Sequence, residues 1–89
     1  MEWIVTLARS AEKNLARAPA KDRERLQVVL ARMRIDPFGG DIVRLHNMTP
    51  AFRRRVGSYR ILFDMYTAER LVEVHDIRRR NEKTYRRKK

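Results

Sequence analysis

Residues 53–63 read RRRVGSYRILF, and they join two alternating runs through a tight turn. The run 52–56 alternates before Gly57-Ser58, and the run 59–66 alternates after it. A period of two predicts half-buried strands, and the Gly-Ser pair between them predicts a hairpin. One face of the second strand is expected to lie in the core, and it carries Tyr59, Ile61, Phe63 and Met65.

The elements around this hairpin predict an α+β fold. Residues 2–7 are rich in β-branched and aromatic side chains, which predicts a first strand. Two helices follow, the first capped by Ser10 and the second opened by Pro19. The core positions of the second helix are Leu26, Val29, Leu30 and Met33. Short runs at 43–45 and 71–77 add two strands, so the order is β-α-α-β-β-β-β. We expect an N-terminal strand and a helical hairpin packed on a curled antiparallel sheet.

Length and composition set limits on the kind of protein. With 89 residues, we expect a single domain over residues 1–85 and a basic, mobile tail over 86–89. The absence of cysteine excludes disulfides and Cys-based zinc sites. Apolar runs are too short for a membrane span, and a signal peptide is not indicated. A cytoplasmic protein without membrane partners is the expectation.

The net charge of +11 is concentrated in two short segments. Residues 53–60 hold four arginines and no acid, and residues 78–89 hold eight Arg and Lys against one Glu. The remaining residues carry equal numbers of bases and acids. Basic charge concentrated beside Tyr59 and Tyr85 indicates a site for a polyanion, with nucleic acid as the first candidate.

Arginines around a tyrosine suit RNA cleavage by the 2′-hydroxyl group. The planar guanidinium donates two hydrogen bonds to phosphate oxygens and stays charged, so it can stabilise a phosphorane but is a poor base. Nearby guanidinium groups favour the phenolate form of a tyrosine, which can then act as the base or stack on the RNA. A plain solvated surface would show the same composition, and spacing alone leaves both interpretations open.

No metal or cofactor site is predicted. The chain has neither H-x(3)-H nor H-E-x-x-H spacing, and it lacks a phosphate-binding glycine loop. His46 and His75 are interpreted as structural, and Glu73 and Asp76 as ion-pair partners of neighbouring arginines. A nuclease built on these residues would be metal-independent.

Two segments, RRRVGSYRILF at 53–63 and LVEVHDIRRRNEKTY at 71–85, resemble the RelE/ParE toxin superfamily, and its RelE branch in particular. The resemblance implies a toxin of a type II toxin–antitoxin system that acts as a ribosome-dependent mRNA endonuclease. By position in the family pattern, it implies that the catalytic residues are Arg53, Arg55, Arg60, Arg79 and Tyr85. Arg79 is chosen because it lies six residues before Tyr85. The other basic residues expected to bind RNA are Arg54, Arg78, Arg80, Lys83, Arg86 and Arg87.

The resemblance also implies partners. These are an acidic antitoxin, bound over the helical hairpin and the basic groove in a hetero-oligomer, together with the ribosome and its mRNA. One alternative is a ParE-like toxin that is not a nuclease and poisons DNA gyrase. That branch generally lacks the arginine and tyrosine at the chain end. Another alternative is an RNA-binding module without activity.

Overall fold

The computed structural model describes residues 2–80, and the predicted order of elements is confirmed. The strands are β1 (Ile4–Leu7), β2 (Ile42–Arg44), β3 (Phe52–Val56), β4 (Tyr59–Tyr66) and β5 (Leu71–Arg79). The helices are α1 (Arg9–Arg17) and α2 (Ala20–Met33). Neither helix has the length and apolar content needed to cross a bilayer. The expected tail at 86–89 lies outside the described residues.

All five strands form one open, mixed sheet in the order β1-β5-β4-β3-β2. The strands β2 to β5 pair antiparallel, as predicted. β1 differs from the expectation, because it joins the sheet at its edge and runs parallel to β5, with Val5 opposite Val72. Parallel strands need a long crossover connection, and residues 8–70 provide one.

The core lies between one face of the sheet and the two helices. Alternate residues of β4 and β5 point into it, and α2 covers them with Leu26, Leu30 and Met33. Phe63 is fully buried at the centre and stacks on Phe52 with ring centroids 5.6 Å apart. The core face predicted for α2 is therefore confirmed, except that Val29 is only partly buried. We call this side of the sheet the helix face and the opposite side the outer face.

Helix α1 begins where β1 ends and continues along the edge of β5. The Ala8 N–H donates to the Val74 carbonyl at 2.8 Å, as the last bond of the parallel pairing. Ser10 was expected to cap α1, but Ala8 occupies the N-cap position and no side chain caps the helix. The Ser10 hydroxyl instead donates to the His75 carbonyl at 2.8 Å, because β5 has no strand beside it at this point. Ser10 therefore fixes the helix to the sheet.

A β-bulge interrupts the pairing of β4 with β5. Phe63 lies opposite Val74, but Leu62 lies opposite Asp76, so His75 has no partner in the register. One additional residue in a strand exchanges the faces of all residues that follow it. Because of the bulge, Ile77 lies in the core and Arg78 lies on the outer face.

Candidate nucleic-acid interface

Three arginines lie side by side on the outer face, one from each of three neighbouring strands. Arg55 of β3 is directly opposite Arg60 of β4, and Arg60 is directly opposite Arg78 of β5. Directly opposed residues have Cβ atoms about 5 Å apart. We call Arg55, Arg60 and Arg78 the arginine row. Like charges in direct register are destabilising, so the row indicates a site whose counter-charge comes from a bound anion.

Acidic residues compensate the two ends of the row and leave its centre uncompensated. Arg78 Nε is 2.6 Å from the Asp76 carboxylate, as predicted for Asp76. Arg55 Nε lies 3.9 Å from Asp41, a longer contact between exposed side chains. No carboxylate within residues 2–80 lies at ion-pair distance from Arg60. Arg60 is therefore the member of the row best placed to meet a phosphate.

Asp76 positions Arg78 and also joins the row to helix α1. Its carboxylate accepts hydrogen bonds from Asn14 Nδ2 at 2.9 Å, from Arg78 Nε at 2.6 Å and from the Ile77 N–H at 2.9 Å. Burial favours a higher pKa for Asp76, but these three donors and the Arg78 charge outweigh it and hold the pKa below its ordinary value. Asp76 is therefore a stable anion that holds one end of the row.

Arg53 lies on the outer face as well, one pleat away from Arg55. Residues two apart in a strand share a face at a spacing of about 6.6 Å. Arg53 is opposite Leu62 in the register, and its Nε is buried without a hydrogen-bond partner among the described residues. The alternation predicted that Arg53 and Arg55 share a face, and the register places Arg60 on the same face.

Arg54 lies on the helix face and only 8% of its surface is exposed. The prediction that Arg54 contacts RNA together with its neighbours does not fit this position. The physical reason is the alternation of β3, which places Arg54 between Phe52 and Val56 on the side that faces α2.

The residues around the end of β5 are placed differently from one another. Arg79 is opposite Tyr59, so the register places it on the helix face. Arg78, and not Arg79, is therefore the β5 residue beside Arg60. Arg79 lines an open notch with Asn14 and Arg17 beside the end of α1. The Arg80 N–H donates to the Ser58 carbonyl at 2.6 Å. The remaining predicted site residues, Lys83, Tyr85, Arg86 and Arg87, lie outside the described residues.

The other end of the outer face is acidic, which the sequence interpretation missed. His75 Nε2 lies 2.9 Å from Asp64 Oδ2 and 3.5 Å from Glu73 Oε1. Glu73 was expected to pair with an arginine, but it contacts His75 and accepts a hydrogen bond from the Tyr66 hydroxyl at 3.3 Å. Partial burial, followed by the Glu73 charge, raises the pKa of Tyr66, so this phenol stays neutral. No group of three His, Asp or Glu side chains within residues 2–80 is arranged to hold a metal ion.

Helix α2 contributes a further basic residue near the hairpin turn. Gly57 has φ 59°, a conformation that glycine adopts without strain. A Cβ atom at this position would lie 2.7 Å from Arg25 Nη1. The guanidinium of Arg25 therefore packs on the turn that connects Arg55 to Arg60. No local pattern predicts this contact, because it joins residues that are 32 positions apart in the chain.

Comparison with solved structures agrees with the topology. The RelE–RelB complex of Pyrococcus horikoshii matches with a TM-score of 0.80 at 17% identity, over 91% of this chain and 98% of that one. The RelBE2 toxin–antitoxin complex of Mycobacterium tuberculosis matches with a TM-score of 0.76 at 18% identity, over 90% and 100%. The chain has the RelE toxin fold. The isolated E. coli RelE toxin gives 0.74 at 15% identity, over 98% and 99%.

Comparison of sequences alone does not detect this similarity. No family model matches the chain, and no curated protein matches it. Identities below 20% are consistent with this, because a fold can persist when few residues are shared. The resemblance inferred from the hairpin and from β5 is thus confirmed at the level of the RelE fold.

Proposed function

We propose that this chain is the toxin of a type II toxin–antitoxin system and that it cleaves mRNA on the ribosome. The observation that carries the proposal is the arginine row, three cations in register with an uncompensated Arg60 at the centre. The RelE fold supports the toxin part, because structures with this fold include toxin–antitoxin complexes. An acidic antitoxin is the corresponding partner, and action on ribosomes places the protein in the cytoplasm.

The proposed reaction is a transfer of the phosphoryl group within the RNA. The 2′-oxygen loses its proton and bonds to phosphorus, the bond to the 5′-oxygen breaks, and that oxygen takes up a proton. The products are a 2′,3′-cyclic phosphate and a 5′-hydroxyl group. Arg60 and its neighbours would stabilise the added negative charge of the phosphorane, and fixed donors of this kind contribute about 100- to 1000-fold each. No step in this scheme requires a metal ion.

Roles follow from position where the structure describes the residue. Arg60 is proposed to contact the reacting phosphate, with Arg55 and Arg78 on either side. Arg78 replaces Arg79 in this proposal, because Arg78 is the residue opposite Arg60. Arg53 is proposed to hold the adjacent part of the strand. Tyr85 is proposed as the base on the family pattern alone.

A direct test is cleavage of mRNA on translating ribosomes by the purified chain. We expect Arg60→Ala to lower the cleavage rate about 100-fold or more, and Tyr85→Phe to abolish cleavage. The matched control is Arg9→Ala, which removes an exposed arginine at the start of α1 and should leave the rate unchanged. Circular dichroism would verify that each variant folds.

Two results would contradict the proposal. Cleavage at the wild-type rate by Tyr85→Phe would remove the tyrosine from the mechanism. DNA breaks that depend on gyrase, without any cut in ribosome-bound mRNA, would replace the nuclease by a gyrase poison.

A further inference from the structure

Arg54 is a buried cation that the proposed nuclease does not use. Only 8% of its surface is exposed, and it lies on the helix face between β3 and α2. A Cβ atom at Gly40 would overlap its guanidinium, so the plane of this group packs on the Gly40 backbone, where φ is 85°. An arginine carries five N–H donors; those of Arg54 donate to no group within residues 2–80, and, unlike Arg53 Nε, its nitrogens are not sealed from water.

The nearest acid does not neutralise Arg54. Asp36 Oδ1 accepts a hydrogen bond from the Phe38 N–H at 3.1 Å, and no ion pair joins the carboxylate to the guanidinium. Burial, and then the charge of Arg32, lower the pKa of Arg54, while Asp36 opposes them. The guanidinium nevertheless keeps its charge at physiological pH, because the ordinary pKa of arginine lies far above that range. A largely buried charge without an ion-pair partner is unfavourable, and an anion bound at its solvent-facing side would offset this cost.

The guanidinium faces a small pocket that is open to solvent. The pocket has a volume of 260 Å³, and it is lined by Arg32, Ile35, Asp36, Gly39, Gly40 and Arg54. Two arginines and one aspartate leave it a net charge of +1. We call it the Arg54 pocket. It lies on the helix face, and the arginine row lies on the outer face.

Exposed apolar side chains belong to the segment that forms the pocket. Ile35 lines it and is 71% exposed, and Phe38, between Asp36 and Gly39 in the chain, is 55% exposed and forms a T-shaped pair with Trp3 at 5.8 Å between centroids. Protein interfaces commonly combine an arginine and aromatic residues at the centre, where water is excluded. A phosphodiester of RNA is singly charged like a carboxylate, so charge alone does not select the ligand, but RNA has no aliphatic side chain to cover Ile35 and a protein does.

We propose that the Arg54 pocket binds a carboxylate from an acidic partner protein, an Asp or Glu flanked by apolar residues that cover Ile35 and Phe38. The carboxylate oxygens accept hydrogen bonds from the Arg54 guanidinium, and Arg32 adds a second cation at the entrance. The inference rests on the proposed function in one respect, namely that the partner is the antitoxin of a toxin–antitoxin pair. It adds that one anchor of this partner lies on the helix face, where binding leaves the arginine row uncovered.

The experiment uses two nine-residue peptides, one with a single Glu flanked by leucines and one with Gln in its place. Binding to the full chain is followed by NMR on the Arg54 Nε–H signal, without ribosomes or mRNA. We expect the Glu peptide to shift this signal and to bind about tenfold more tightly than the Gln peptide. Arg54→Met keeps much of the side-chain volume and should abolish the difference. Arg32→Ala should reduce it.

The matched control is Lys21→Ala, which removes an exposed cation from the first turn of α2 and should keep the tenfold difference. Equal affinity of the two peptides would overturn the proposal. A titration with inorganic phosphate that shifts the Arg54 signal, while the Glu peptide does not, would also overturn it and indicate a site for nucleic-acid phosphate. Neither outcome affects the cleavage assay, so the two proposals fail separately.

Discussion

Replacing Asp76 with alanine should destabilise the fold more than any other single change of an acidic residue on β5. The Asp76 side chain is 17% exposed and accepts hydrogen bonds from Asn14, Ile77 and Arg78. Hydrogen bonds to a charged group contribute about 1.5–3 kcal/mol each, and an exposed pair such as that with Arg78 about 0.2–1 kcal/mol. Because Asn14 can recover water in the variant, we expect a loss of about 3 kcal/mol. At about 4–8 °C per kcal/mol, the Tm of a domain of this size should fall by roughly 12–24 °C.

The stability difference between wild type and Asp76→Ala should depend on pH. The pKa of Asp76 is depressed in the folded state, so its stabilising contribution is complete above the unfolded value of about 3.9. It is lost as the pH falls through the lower, folded value. Calorimetry should therefore show the full difference between wild type and Asp76→Ala at pH 7, and a shrinking difference below about pH 4.

Asp41→Ala is the control, since Asp41 is exposed and contacts Arg55 only at 3.9 Å. We expect it to change the stability by less than about 0.5 kcal/mol. Two results would refute the reasoning about Asp76. One is a Tm within 3 °C of wild type (about 0.5 kcal/mol). The other is a difference that stays constant down to about pH 2, well below the ordinary carboxylate pKa.

Three further changes give separate expectations. Gly57→Ala should lower the free energy of unfolding in urea by about 1–2 kcal/mol, because φ is positive at this position and the new Cβ meets Arg25. If the same substitution costs less in an Arg25→Ala background, part of the loss comes from that contact. Arg54→Met should leave stability unchanged or raise it by about 1 kcal/mol in the same assay, since it removes a buried charge without an ion-pair partner, and a loss above about 2 kcal/mol would contradict this. For binding to a single-stranded RNA, Arg60→Ala should make the negative slope of log K against log[salt] less steep by about 0.7, and Arg9→Ala should change this slope less. Equal changes in the two variants would mean that the arginine row attracts RNA only nonspecifically.

The hairpin of β3 and β4 could be predicted from the sequence because its information is local. Alternation fixes which residues share a face, and Gly57-Ser58 fixes the turn. The same alternation already placed Arg54 on the side of Phe52 and Val56, so the prediction that it contacts RNA ignored an available signal. The parallel pairing of β1 had no local signal, since a four-residue strand can join either edge of a sheet in either direction.

The arginine row was predicted only in part. Arg55 and Arg60 lie one residue outside Val56 and Tyr59, which flank the two-residue turn, so their pairing in the register follows from the hairpin alone. The choice between Arg78 and Arg79 depended on counting residues back from Tyr85. Position on a sheet depends on the register with the neighbouring strand, and the unpaired His75 changes that register. The Arg54 pocket likewise depends on the packing of residues 36–40 against β3, which no periodicity reports.

The bulge at His75 divides β5 into two parts with different tolerance to changes in length. Before it, the strand is paired with β1 on one side and β4 on the other, and its even-numbered residues point to the helix face. After it, the odd-numbered residues point to the helix face, so deleting His75 would remove the extra residue and leave Ile77 in the core and Arg78 on the outer face. A reading frame that loses this one codon would therefore keep the arginine row, whereas one that gains a codon between Asp76 and Ile77 would turn Arg78 toward the core. Homologous positions in this segment are therefore better compared by their register with β4 than by counting residues along the chain.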